Sequence, residues 1–134
     1  MTTGTLTTVD AFLETVAAGQ GAALERLYAA DALLDAVVPD WRFQVRGAAA
    51  IGKQYATWFT HPATLEELRR LPTADGEVVA YTLAWEETVP HAARHVHLLT
   101  LDPATGRIVQ DQVWCGGRWP AGLLAEMAAA QQAG

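Results

Sequence analysis

Between Glu77 and Val89 the chain places Val79, Tyr81, Leu83, Trp85, Glu87 and Val89 at alternate positions. A helix repeats every 3.6 residues, so a period of two reads as a strand with one face on a core. Arg94–Leu101 and Arg107–Cys115 continue the strand pattern, and the intervening Asp-Pro-Ala-Thr-Gly of residues 102–106 has strong turn chemistry. Three alternating strands of this kind carry one apolar face that must be covered. The second half therefore predicts an antiparallel meander packed on something else.

The first half supplies that partner. Val9, Phe12, Leu13 and Val16 share one face of a helix predicted over Val9–Ala18, with Thr8 as its N-cap and Gly19 and Gly21 closing it. A second short helix is expected over Ala22–Ala30 and a third over Ala48–Phe59, with Ile51, Tyr55, Trp58 and Phe59 as its apolar contacts. Leu33–Val38 and Trp41–Arg46 read as a hairpin about Pro39-Asp40. Thr64–Leu71 fits a helix or a bulged strand, and strand is preferred because alternation follows and Pro72 stops a helix. Leu123–Gln131 is a tail helix. Helices gathered on one face of an antiparallel sheet give an α+β fold. A strongly bent sheet wrapped around them leaves a concave apolar cavity suited to a small molecule.

A chain of 134 residues, about half apolar, suffices for one domain with its own core. The expected domain spans 1–134, with its body at about 8–119 and a helical tail over 120–134. The single cysteine, Cys115, forms no internal disulfide, as in a reducing compartment. The net charge of −6 and nine scattered Lys and Arg argue against nucleic acid as a partner. Residues 1–8 lack the features of a signal peptide, and no apolar run reaches the length of a membrane span. The expectation is a cytoplasmic protein with no membrane partner.

Register counting brings the chemistry together. If residues 102–106 join two antiparallel strands, Leu99 meets Val109, His97 meets Asp111 and His95 meets Val113. A turn over Val89–Ala93 puts Trp85 near His97 and Glu87 near His95. One face then collects Tyr81, Leu83, Trp85, Glu87, His95, His97, Asp111, Val113 and Cys115. A carboxylate beside an imidazole fixes its tautomer and tunes its basicity, so such a pair can serve as acid and base near neutral pH. A solvated strand face or a structural ion pair would look the same in sequence. Cys115 reads as a small buried residue before a nucleophile, and Tyr28, Tyr55 and the tryptophans as core or pocket wall. A metal held by His95, His97 and Asp111 is a weaker reading, and no metal is assigned. Phosphate loops, nucleotide fingerprints and nucleophile elbows are absent.

Ala17-Ala18-Gly19, the run Leu27-Tyr28-Ala29-Ala30-Asp31-Ala32, Arg46-Gly47 before Ala48–Ile51, and Gly106-Arg107-Ile108-Val109 resemble the nuclear transport factor 2-like superfamily over about residues 8–119. That resemblance implies a cone: a curved sheet around a long helix, with a deep pocket. The ketosteroid isomerases of this superfamily use a Tyr, a base Asp and an oxyanion-hole Asp. The matching positions here are Phe12, Ala36 and His97, so the phenol and the base are missing. The SnoaL-like polyketide cyclases fit better, because His95, His97 and Asp111 fall on their pattern, with His95 replacing the usual Gln.

The resemblance implies a cofactor-independent acid/base enzyme acting on a polyketide-like or other apolar carbonyl compound, by aldol cyclisation. Asp111 would move a proton beside the carbonyl, His97 would bind its oxygen and His95 would orient the substrate. Trp85, Tyr81, Glu87, Tyr28, Phe12, Val113, Cys115 and Tyr55 would line the pocket. A dehydratase, isomerase or epoxide hydrolase of the same fold, or a non-catalytic binder, are the alternatives. Val96, Leu98 and Trp114 on the outer sheet face would support a homodimer.

Overall fold

A computed structural model describes residues 7–133. Helix α1 (Thr8–Ala17) is followed by a 3-10 helix (Gly21–Leu27), strands β1 (Tyr28–Val38) and β2 (Trp41–Arg46), and helix α2 (Ala48–Trp58). Strands β3 (Thr64–Thr73), β4 (Gly76–Glu86), β5 (Pro90–Leu101) and β6 (Ile108–Pro120) come next, and helix α3 (Ala121–Ala133) ends the chain. The α+β class is as expected. The sheet is six-stranded, open and ordered β2-β1-β6-β5-β4-β3. All neighbours are antiparallel except β1 and β6, which run parallel, so the sheet is mixed.

The N-cap is Thr7, one residue before the expected Thr8. Its hydroxyl accepts from the Asp10 amide while the Asp10 carboxylate accepts from the Thr7 amide. Thr8 instead donates to the Gly106 carbonyl at 2.6 Å, tying α1 to the β5–β6 turn. The helix expected over Ala22–Ala30 stops at Leu27, and β1 starts at Tyr28. Tyr28 already pairs with Ile108 of β6, and from Leu33 onward β1 pairs with both β2 and β6, so the helix gives way to the strand there. Thr64–Thr73 is a strand with a bulge between Glu66 and Arg69. It lies at the sheet edge, where its charged residues and Pro72 discourage pairing with another chain.

Side chains of α1 (Val9, Phe12, Leu13, Val16) and α2 (Ile51, Tyr55) bury against Leu34, Ala36, Val79, Tyr81, Leu83, Leu99 and Val113 of the inner sheet face. The 3-10 helix crosses α2 so closely that a Cβ on Gly21 would lie 1.9 Å from the Tyr55 carbonyl oxygen. No side chain larger than hydrogen fits there. The Gly21 amide also donates to the Phe59 carbonyl at 3.1 Å. This contact fixes where α2 delivers Tyr55. Among the described residues, no helix is long and apolar enough to cross a membrane.

Candidate functional site

The expected His97–Asp111 contact exists, although the register differs from the counted one. Leu101 pairs with Ile108 instead of Arg107, and an irregularity between Thr100 and Leu101 adds a second residue of offset. His97 therefore faces Val113, and Asp111 faces Leu99. A two-residue offset keeps every side chain on its face. Asp111 becomes the diagonal neighbour of His97, within reach of two long polar side chains. Their Nδ1 and Oδ1 atoms lie 2.9 Å apart.

Asp111 is completely buried. Its Oδ2 accepts from the Tyr28 hydroxyl at 2.6 Å and from the Tyr55 hydroxyl at 2.5 Å. Burial alone would raise its pKa. Attraction to any positive charge that His97 carries and the hydrogen bonds from His97, Tyr28 and Tyr55 outweigh burial and hold the carboxyl below its usual value. Burial, with the Asp111 charge, pushes the Tyr28, Tyr55 and Tyr81 hydroxyls far up, so all three keep their protons.

The network continues on the other side of His97. Its Nε2 lies 2.9 Å from the Tyr81 hydroxyl, which is 3.0 Å from His95 Nδ1. The result is a chain of four side chains, Asp111–His97–Tyr81–His95. Phe12 packs edge-on against His97 at 5.0 Å between ring centres, and Trp58 and Phe59 flank His95.

His95 is the member that meets open space. It lines a cleft of about 280 Å³ with Val38, Pro39, Trp58, Leu83, Trp85 and Ala93. This is close to the lower end, about 300 Å³, of typical small-molecule sites. No buried side-chain nitrogen or oxygen among the described residues lacks a partner. His95 uses only Nδ1 for hydrogen bonding, so Nε2 is the nitrogen left to the cleft. Burial, with repulsion by any positive charge that neighbouring His97 carries, pushes its pKa down to about 3. The ring is neutral at pH 7.

These positions correct the expected pocket. His97, Asp111, Tyr28, Tyr55, Tyr81, Phe12 and Val113 fill the centre of the molecule and expose at most 1% of their surface. They lie behind the cleft instead of lining it. Asp111 and His97 cannot touch a molecule bound there, because their polar atoms are occupied and covered. Of the expected wall residues, Trp85 and Cys115 do line it. Trp85 lies opposite His91, six positions from the counted partner His97, because β4 ends at Glu86 and Pro90 already opens β5. Glu87 is exposed at the rim, where it accepts from the Trp85 indole at 2.8 Å and pairs with Arg118. Burial raises the Cys115 thiol pKa, which suits a wall residue better than a nucleophile.

Trp58, Leu83 and Arg118 also line the cleft although none is assigned to the site by the sequence. Leu83 carries a signal in its place on the counted face and Trp58 as an aromatic wall candidate, whereas Arg118 has none. Among the described residues, no group of three or more His, Cys, Asp and Glu is arranged to hold a metal ion. Both ring nitrogens of His97 are already engaged.

No family model matches the sequence, and no curated protein matches it either. Solved structures do resemble the fold. A putative isomerase from Bacillus subtilis is 14% identical with a TM-score of 0.64, covering 81% of this chain and 84% of that one. SalBIII, an epoxide hydrolase/cyclase-like enzyme in pyran ring formation in polyether salinomycin, is 18% identical with a TM-score of 0.65. That match covers 84% of this chain and 92% of SalBIII. A protein of ketosteroid isomerase-like fold from Catenulispora acidiphila, in complex with trimethylamine, is 18% identical with a TM-score of 0.63, covering 81% and 85%. Further matches are described as NTF2-like and as having a cystatin-like fold. The chain shares the nuclear transport factor 2-like fold with these proteins.

Proposed function

We propose that the protein is a cofactor-independent acid/base enzyme acting on a small, largely apolar carbonyl compound, in the manner of a polyketide cyclase. The observation that carries this reading is the neutral His95, whose Nε2 is presented to an apolar cleft and whose other nitrogen is anchored to a buried, charged network. A neutral imidazole with one nitrogen fixed as N–H offers a lone pair at the other. That lone pair can remove a proton beside a carbonyl and return it at another atom, as aldol cyclisation requires.

His95 is the catalytic residue in this reading. His97 and Asp111 are positioning residues that act through it, and Tyr28 and Tyr55 hold Asp111 as a carboxylate. Leu83, Trp58 and Trp85 supply the apolar walls. Arg118, at the mouth and paired with Glu87, offers a cation to the oxygen of a substrate. Homodimerisation through the outer face, where Trp114 is exposed and Val96 and Leu98 are half-buried, belongs to the same proposal. Sedimentation as a monomer would remove that part alone.

The test is turnover of a panel of β-dicarbonyl and polyketide-like compounds, with hydroxy-epoxides included. His95→Gln keeps a polar group of similar reach but cannot take up a proton. The expected result is a loss of about 10²–10⁴-fold in kcat. Undiminished turnover by His95→Gln would refute the assignment. Tight binding of apolar carbonyl compounds with no turnover of any would favour a non-catalytic binder of the same ligands.

A further inference from the structure

Tyr81 stands between two histidines, with 3.0 Å to one and 2.9 Å to the other. A phenol has one proton to give and can accept in return. The direction of the whole chain is therefore set by its far end. Asp111 is a carboxylate, so His97 Nδ1 carries a proton and donates to it. In neutral His97 the Nε2 atom must then accept, and Tyr81 donates to it. The Tyr81 oxygen accepts from His95 Nδ1–H, which leaves the His95 Nε2 lone pair in the cleft.

With His95 kept neutral, one other arrangement satisfies the same contacts around the Asp111 carboxylate, and it holds one more proton. His97 is then protonated on both nitrogens and donates to Asp111 and to Tyr81. Tyr81 turns its proton toward His95 Nδ1, and His95 carries its own proton on Nε2. His95 is neutral in both arrangements. Only its tautomer differs.

We infer that Tyr81 is a proton relay that lets His95 act as base and acid in the cleft without becoming charged, the charge being held on His97 beside Asp111. This rests on the functional reading above. A proton leaving substrate carbon joins His95 Nε2, and the C–H electron pair stays on the substrate as an enolate. The His95 Nδ1 proton passes to the Tyr81 oxygen, and the Tyr81 proton passes to His97 Nε2. The reverse sequence returns the proton. No oxidant, reductant or metal enters the balance.

The physical need for a relay is clear from the surroundings. His95 is faced by Trp58 and Phe59 from the helical side, by Tyr81 from β4 and by Cys115 from β6. None of these is an anion at neutral pH that could stabilise an imidazolium. His97 is faced by Asp111 from β6, Tyr81 from β4, Tyr55 from α2 and Phe12 from α1. The buried carboxylate is on that side alone. Its further partner is Tyr28 of β1. The Glu87–Arg118 pair lies outside, at the mouth.

The test uses the full chain with ¹⁵N-labelled histidine, observed by NMR between pH 8 and pH 5. Four imidazoles are to be assigned, and His61 and His91 lie outside the network. In the expected result His95, still neutral, moves its proton from Nδ1 to Nε2 in step with the arrival of a second ring proton on His97. In Tyr81→Phe the two events separate, and His95 keeps one tautomer while His97 titrates. The relay is overturned if wild-type His95 becomes an imidazolium, keeps one tautomer while His97 titrates, or if neither ring changes while the protein stays folded. The wild-type titration decides the matter even if Tyr81→Phe does not fold. A coupled titration without turnover sinks the enzyme reading and leaves the relay. Turnover lost in His95→Gln without coupled titration does the opposite.

Discussion

Asp111 accepts three hydrogen bonds, from His97, Tyr28 and Tyr55, in a site with no exposed surface. Asn in its place turns an N–H₂ toward either the two hydroxyl protons or the imidazole N–H. Asp111→Asn should therefore cost about 3 kcal/mol, as removal of one partner of a buried charged pair does. Urea denaturation measures this, and a loss under about 1 kcal/mol would show that the network rearranges freely. His95 sets the acid limit. Its folded pKa of about 3 lies below the ordinary histidine value of 6.5, so over that interval the unfolded chain binds a proton that the folded ring refuses. Stability from this source is complete above about pH 6.5 and declines as the pH falls, by at most about 1.4 kcal/mol per pH unit. The lowered Asp111 adds a further loss in strong acid, as the pH falls from 3.8 through its folded value. Urea midpoints from pH 7 to pH 4.5 should fall less steeply in His95→Gln than in the wild type. Equal slopes would mean that His95 does not titrate as its burial requires.

At the scale of elements, the site depends on where α2 rests. Gly21 lets the 3-10 helix touch the Tyr55 carbonyl, and Tyr55 in turn reaches Asp111. Gly21→Ala has backbone in its way, so it should lower stability by about 2–3 kcal/mol and loosen the Tyr55 bond. Gly122 of α3 is the control, because nothing lies within 4 Å of its missing Cβ. Gly122→Ala should be neutral or stabilising by up to about 1 kcal/mol through helix propensity. Thermal melting of the two variants separates a steric role from a general dislike of alanine. The elements themselves were largely legible in the sequence. Alternation gave β4, β5 and β6, and apolar spacing gave α1 and α2. The Ala22–Ala30 stretch is helical only to Leu27, because Tyr28 takes its conformation from pairing with Ile108 of β6, which no local pattern announces.

At the scale of the molecule, the cone's centre is solid and its cleft is small. Cys115 reports on that cleft, since it lines the wall and is the chain's single cysteine. With its pKa raised by burial, it should react slowly with a neutral maleimide at pH 7.5. An apolar carbonyl ligand should slow it at least tenfold more, as followed by mass spectrometry. An unchanged rate at saturating ligand would place the ligand elsewhere.

The sequence by itself determined which side chains share the inner face. Side-chain direction alternates with strict period two, so an offset of two or six residues moves neighbours without turning any of them over. It thereby brought His95, His97, Asp111 and Tyr81 to one surface. Depth along that surface was decided by the tertiary structure alone. The turn after Glu86 and the irregularity between Thr100 and Leu101 set how far each strand slides, and the Gly21 contact sets where Tyr55 stands. Those three facts seal His97 and Asp111 in the core and leave His95 at the cleft. Alternation does not encode them, because it carries the direction of each side chain and no measure of how far one strand slides past another or how closely a helix rests on it.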